Sequence, residues 1–232
     1  MSRFFYRSRN PVLETLGQLA MLASVIAAIV YPFNILPFNP IYVKGSAVAF
    51  LALYTLFRIS AFDHFILFVA LIAGAIGDIQ ISMPVPNAMA NAMQSFMVEH
   101  VLLILLFLRN RMSAYDISSA RVRGAAVIWA MTGVALFLLW QDLGSDRNMV
   151  LIYMGALIGM ATAGLFSRFS IKMVGIGAIF FVVSDSMIAA QTFMGAPEWL
   201  SIFVWILYYL SQLLITAGVL LAPNRDKPLP MR

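Results

Sequence analysis

Asp78 lies within LIAGAIGDIQISM and Asp185 within GAIFFVVSDSMIAA, so both aspartates sit inside apolar stretches of membrane-spanning length. An ionised carboxylate in hydrocarbon costs from roughly 3 kcal/mol upward on insertion scales. A side-chain hydrogen bond between membrane helices returns only ~0.6 kcal/mol on average, and serine or asparagine would supply it as well. Polar glue between helices is therefore a weak account of two carboxylates. Chemistry is a better one. Two carboxyl groups in dry surroundings can divide their labour, one holding a proton as an acid and the other accepting one as a base.

Other polar residues fall at matching places in the apolar runs. Glu99 and His100 are neighbours on one helix, where adjacent side chains point about 100° apart, so only one of them is expected to face a shared site. His100 alone reads equally well as a core histidine with satisfied hydrogen bonds. Its depth, shared with the aspartates, favours a supporting or proton-relay role. Glu99 is expected either at the cavity or paired with a basic group. Tyr208 and Gln212 are four residues apart, and Tyr209 and Gln212 three, so either tyrosine shares a helix face with the amide. Tyr153 offers a further hydroxyl. Ser184, beside Asp185, is expected to bond the backbone carbonyl four residues back. Lys44 opens an apolar run near its polar end and can snorkel.

The elements that must position these residues are legible from composition. The chain has 232 residues, of which 62% are hydrophobic and 11% charged, against nearer a quarter charged in soluble domains. Eight runs of about 20 apolar residues stand at roughly 14–34, 41–58, 64–83, 91–109, 124–141, 148–166, 171–192 and 199–222. Between them lie YPFNILPFNP, MPVPN, RNRMSAYDISSARVR, QDLGSDRN, SRFSIK and MGAPEW, all turn-prone or charged. The expected fold is thus all-α and integral to a membrane, a bundle of eight transmembrane helices forming one domain over 1–232. The basic stretch MSRFFYRSRNP reads as the flank of a retained first span rather than a cleaved leader. The tail after Pro223 reads as polar and disordered.

Counting Lys and Arg fixes an orientation. With the N-terminus inside, thirteen fall on inner segments (Arg3, Arg7, Arg9, Arg58, Arg109, Arg111, Arg121, Arg123, Arg168, Lys172, Arg225, Lys227 and Arg232), and only Lys44 and Arg147 fall outside. Both termini are expected to be cytoplasmic. Asp78 and Asp185 then each come 14 residues after their span enters from the inner side, about 20 Å deep at ~1.5 Å per residue. His100 follows Asp78 by 22 residues and Tyr208 follows Asp185 by 23, which suggests a parallel internal repeat of four plus four helices.

Several function classes drop out. The net charge of +5 is explained by membrane topology and gives no reason to expect nucleic acid. The chain has no cysteine and only two histidines, so no metal site and no thiol chemistry are expected. No G-x-S-x-G elbow, P-loop, H-E-x-x-H or dinucleotide fingerprint is present. The methionines read as apolar filling, and Gly155-x-x-x-Gly159 and Gly74 with Gly77 as sites of close helix contact.

In this order over eight spans, the polar residues resemble the YhhN family of membrane lysoplasmalogenases. The matching pieces are Tyr42-x-Lys44, Gly77-Asp78, Phe96-x-x-x-His100, Tyr153, Phe181-Val-Val-Ser184-Asp185-Ser186 and Tyr208-Tyr209-x-x-Gln212. Gly45 stands where the family usually has proline, and Leu103 where it often has tyrosine. The resemblance implies hydrolysis of the vinyl-ether bond of lysoplasmalogens to a fatty aldehyde and a glycerophospho-base, with no cofactor. It also implies a lysophospholipid substrate, with membrane lipids as surroundings. Asp78 and Asp185 would be catalytic, and Lys44, Glu99, His100, Tyr153, Ser184, Tyr208, Tyr209 and Gln212 would bind substrate or support the site. Vinyl-ether cleavage needs an acid, a base and negative charge near an oxocarbenium-like cation, and paired carboxylates meet those needs, much as in glycosidases. Lys44 or Arg147 would hold the phosphate. Phe180, Phe181 and Val183 suggest a drier setting for Asp185 than Gly77 gives Asp78, which points to Asp185 as the acid. The alternatives are a proton-coupled lipid or small-solute transporter, in which the carboxylates relay protons, and a non-catalytic lipid-binding protein. Compact connections suggest a bacterial inner membrane.

Overall fold

The computed structural model describes residues 11–35 and 37–223. Arg3, Arg7, Arg9, Arg225, Lys227 and Arg232 of the orientation count, and the tail expected to be disordered, lie outside the described residues.

Eight long helices follow one another: α1 (Pro11–Val30), α2 (Pro40–Phe57), α3 (Phe62–Ile81), α4 (Ala88–Arg109), α5 (Ser119–Leu139), α6 (Arg147–Leu165), α7 (Ile176–Met194) and α8 (Leu200–Leu220). A π-helical turn, Ile171–Gly175, leads into α7. All eight segments are long and apolar enough to cross a membrane, and the protein is an integral membrane protein built as a helical bundle. Each expected run coincides with one helix, and the ends differ by a few residues.

Local chemistry sets those ends. Pro40 occupies the first turn of α2, where no backbone N–H is missed, and the Asn39 side chain accepts from the Ile41 amide at 3.0 Å. Gly195, at φ 66°, closes α7 in the left-handed region that glycine adopts without strain. Arg121 on α5 is buried and donates to the carbonyls of Leu165, Ser167 and Phe169, which satisfies groups that the end of α6 leaves open. Asp63, at the start of α3, accepts from Arg109 at 2.9 Å and from Asn110 at 2.8 Å, tying that end to the last turn of α4.

In packing, α1 lies on α2, α2 on α3, α3 on α4 and α7 on α8, while α2 with α8 and α4 with α6 join the two halves of the chain. The α3–α4 seam is tight: a Cβ added at Gly77 would meet the Phe96 ring at 2.9 Å, and one at Gly74 the Glu99 carboxyl at 2.6 Å. The glycine pair on α6 does not act as expected, because an added Cβ at Gly155 would meet nothing within 4 Å. Large apolar side chains such as Leu19, Ile29, Val134, Phe137 and Ile152 point outward, as a lipid-facing surface requires. Gly45 interrupts nothing, since α2 runs unbroken through it. Leu103 is fully enclosed in the core.

Candidate active site

One cavity of about 590 Å³ opens among the helices. Asp78 on α3 and Asp185 on α7 both line it, together with Lys44, Tyr153 and Tyr208. The chain therefore brings five of its ten expected site residues to one space. It does so because α3 and α7 each place an aspartate late in the span, and α2, α6 and α8 pack against them.

The two carboxyls have different partners. The Tyr208 hydroxyl donates to Asp78 Oδ2 at 2.9 Å, and Lys44 Nζ stands 3.9 Å from Oδ1. Tyr153 donates to Asp185 Oδ2 at 2.6 Å. His100 Nε2 lies 3.3 Å from that same tyrosine oxygen and 3.9 Å from the carboxylate. His100 does not line the cavity. It is fully buried behind Tyr153, in edge contact with Phe181 at 4.9 Å between ring centres, and reaches Asp185 through the phenol. The Asp185 side chain is 10% exposed and that of Asp78 2%, so the setting expected to be drier is the more open one. The flanking Phe180 and Val183 do not decide this.

Other expected site residues lie behind the cavity wall. Glu99 is neither at the cavity nor paired with a base: its Oε1 accepts from the Gln212 amide at 2.7 Å in the α4–α8 interface. Tyr209 turns away and shares a 2.9 Å hydrogen bond with Ser24 of α1, which in turn donates to the Ala47 carbonyl at 2.6 Å. Ser184 departs from the expected backbone bond within its own helix and donates across to the Val204 carbonyl of α8 at 3.0 Å. Ser186 makes the bond four residues back, to Val182 at 2.7 Å. The hydroxyls of Tyr209 and Ser184 fasten helix contacts beside the site, because a buried polar group must find a partner. Arg147, the other expected phosphate holder, stacks over Trp140 and donates to its carbonyl at 3.1 Å. It does not line the cavity.

Sequence reasoning passed over two cavity residues. Tyr31 and Trp205 meet with ring centres 4.6 Å apart, and Lys44 Nζ lies 5.9 Å from each ring. Trp205 precedes Tyr208 by one helical turn, so the periodicity of α8 carried the signal. Tyr31 sits in a proline-rich break and reads as an interfacial aromatic. Among the described residues, no three His, Asp or Glu side chains converge as metal ligands.

Comparison with known proteins adds a second line. The YhhN family model matches residues 40–219, a segment that holds Lys44, Asp78, Tyr153, Asp185 and Tyr208 of the cavity. The chain is 30% identical over 152 residues to proteins named lysoplasmalogenase from Mycobacterium bovis and Mycobacterium tuberculosis, covering 64% of this chain and 58% of each relative. It is 25% identical over 158 residues to human Lysoplasmalogenase TMEM86A, covering 64% of this chain and 62% of that protein. The chain thus spans less than two thirds of the length of these curated relatives. No solved structure matches it.

Proposed function

Because the chain belongs to the YhhN family, we propose that it is a membrane hydrolase that cleaves the vinyl-ether bond of lysoplasmalogens by carboxylate acid–base catalysis. The products are a fatty aldehyde and a glycerophospho-base. The observation that carries this reading is the convergence of Asp78 and Asp185 on one cavity with unlike partners. The names of the relatives support it.

The partners suggest a division of roles. Lys44 supplies a counter-charge to an ionised Asp78. Asp185 is served by a phenol and, through it, an imidazole, neither of which needs charge, a setting that suits a carboxylic acid holding its proton. Asp185 then protonates the alkene carbon remote from the ether oxygen. The resulting cation, shared between that oxygen and its neighbouring carbon, is balanced by the Asp78 carboxylate. Water adds to the carbon bonded to oxygen and gives its proton to Asp78. The hemiacetal returns its hydroxyl proton to Asp185 as the carbon–oxygen bond to glycerol breaks, and Asp78 passes its proton to the departing glycerol oxygen. Both carboxyls end as they began. The apolar remainder of the cavity, with Met93, Leu139 and Leu157, takes the hydrocarbon chain. Its setting, we infer, is a bacterial inner membrane, a reading supported by the short connections between spans.

Aldehyde release from a choline or ethanolamine lysoplasmalogen by purified protein tests the proposal, with Asp78→Asn and Asp185→Asn beside wild type. Release that both variants abolish supports enzyme and carboxylate pair together. Passage of intact lipid across proteoliposomes without aldehyde points to the transporter.

A further inference from the structure

Lys44 is the one Lys or Arg among the described residues that lines the cavity. Its Nζ makes no hydrogen bond among those residues and stands 3.9 Å from Asp78 Oδ1. The Tyr31 and Trp205 rings each lie 5.9 Å from that nitrogen. The side chain is 17% exposed, so a molecule in the cavity can reach it. An amine enclosed among aromatic and apolar groups, beside a carboxylate that can take its proton, is the arrangement in which lysine attacks carbonyl carbons.

Vinyl-ether hydrolysis in this cavity delivers such a carbon. Water adds to the carbon bonded to oxygen while Asp78 takes the water's proton, so that carbon is one water away from Asp78. The same carbon becomes the carbonyl of the aldehyde. Lys44 stands beside the same carboxyl, which makes it a neighbour of the aldehyde as it forms. The glycerophospho-base departs, while the hydrocarbon chain of the aldehyde stays among Met93, Leu139 and Leu157. Two reactants held in one cavity meet far more often than in bulk solution.

We propose that Lys44 captures the fatty aldehyde as a Schiff base, which makes it a covalent product-binding site. This rests on the lysoplasmalogenase reading above. Lys44 gives a proton to the Asp78 carboxylate, and its nitrogen lone pair adds to the aldehyde carbon. The carbonyl oxygen takes that proton and becomes a hydroxyl. A second proton passes from nitrogen by way of Asp78 to the hydroxyl, which leaves as water while the C=N bond forms. One ammonium and one aldehyde thus give one iminium and one water, with no oxidant or reductant. The positive charge is conserved, so the adduct keeps Asp78 as its counter-charge and the two rings as its neighbours. Water reverses the step. Capture therefore lasts while aldehyde is abundant, and it fills the cavity against new substrate.

The test uses the full-length protein in nanodiscs of phosphatidylcholine, a lipid without a free amine. Hexadecanal is the probe, and sodium cyanoborohydride reduces any imine to a stable secondary amine. Peptide mass spectrometry reads the adduct at Lys44, Lys172 and Lys227, the lysines of the chain. Lys172 is exposed and serves as the reference for adventitious reaction. Lys44 should label about tenfold or more faster than Lys172, the gain expected from holding the chain beside the amine. Hexadecyl-glycerophosphocholine, an ether lipid that the enzyme cannot cleave, should slow labelling of Lys44 and leave that of Lys172 unchanged. Labelling of Lys44 no faster than that of Lys172 overturns the proposal, as does labelling that the ether lipid leaves undiminished. The aldehyde is supplied ready-made, so neither result depends on hydrolysis. A parallel incubation with alkenyl-glycerophosphocholine that yields no aldehyde fails the hydrolase reading separately.

Discussion

The centres around Asp78 and Asp185 are built alike and furnished differently. Each aspartate has one partner from the helix before its own and one from a helix of the other half of the chain. Asp78 on α3 has Lys44 of α2 and Tyr208 of α8. Asp185 on α7 has Tyr153 of α6 and, through it, His100 of α4. Adding four to each helix number, with return to α1 after α8, turns the first set into the second. The difference is the ammonium. Where one half has a lysine, the other has a phenol, and that single exchange makes two equal carboxyls unequal.

The largest break in the comparison comes from the carboxyls themselves. Asp185→Asn should lower kcat for aldehyde release about 10³–10⁴-fold, and Asp78→Asn about 10²–10³-fold, within the range for acid–base groups. Single-turnover assays with a bound-substrate control would check both. Equal binding loss in either variant would instead mark that residue as a substrate anchor. Next come the hydroxyls, where the two centres should separate. Tyr153→Phe removes a hydrogen bond to Asp185 and its link to His100, and kcat should drop about 10–100-fold. Tyr208→Phe leaves Asp78 with Lys44, so kcat should drop less than about fivefold. If the two phenylalanine variants are equally impaired, the ammonium is not what distinguishes the centres. His100→Phe keeps the ring packing on Phe181 but loses the contact with Tyr153, and should cost about tenfold in kcat with KM unchanged. His100→Gln should recover part of it.

The smallest effect on chemistry, and a clear one on stability, belongs to the Glu99–Gln212 pair, which does not line the cavity. Gln212→Leu strips Glu99 of its hydrogen-bond partner in the buried α4–α8 interface, at a cost of about 1–3 kcal/mol. Thermal melts in detergent should show a lower Tm, while kcat of the surviving folded fraction stays near wild type. A large loss of kcat at unchanged Tm would move Glu99 into the reaction.

Spans and their order followed from the sequence, because a bilayer imposes a length, an apolar composition and internally satisfied backbone bonds on every crossing. The same logic made Asp78 and Asp185 conspicuous: in hydrocarbon a carboxylate has a cost that marks it. Which polar neighbours faced the aspartates was not legible. On α8, Tyr208, Tyr209 and Gln212 are equally plausible by spacing, yet they serve Asp78, Ser24 and Glu99 respectively. Their directions depend on how α8 is rotated against α1, α3 and α4, and one helix's periodicity does not hold that rotation.

The sequence by itself determined an all-helical membrane bundle, two carboxylates inside apolar spans, and the family motifs that surround them, since each is a property of a single segment and its solvent. Only the tertiary structure decided that Lys44 stands by Asp78 and not by Asp185, that His100 meets Asp185 by way of Tyr153, and that Tyr31 and Trp205 line the cavity beside Lys44. Those facts are set by which helix faces which across the bundle, a contact energy summed over many apolar side chains, none of which signals its partner in the linear chain.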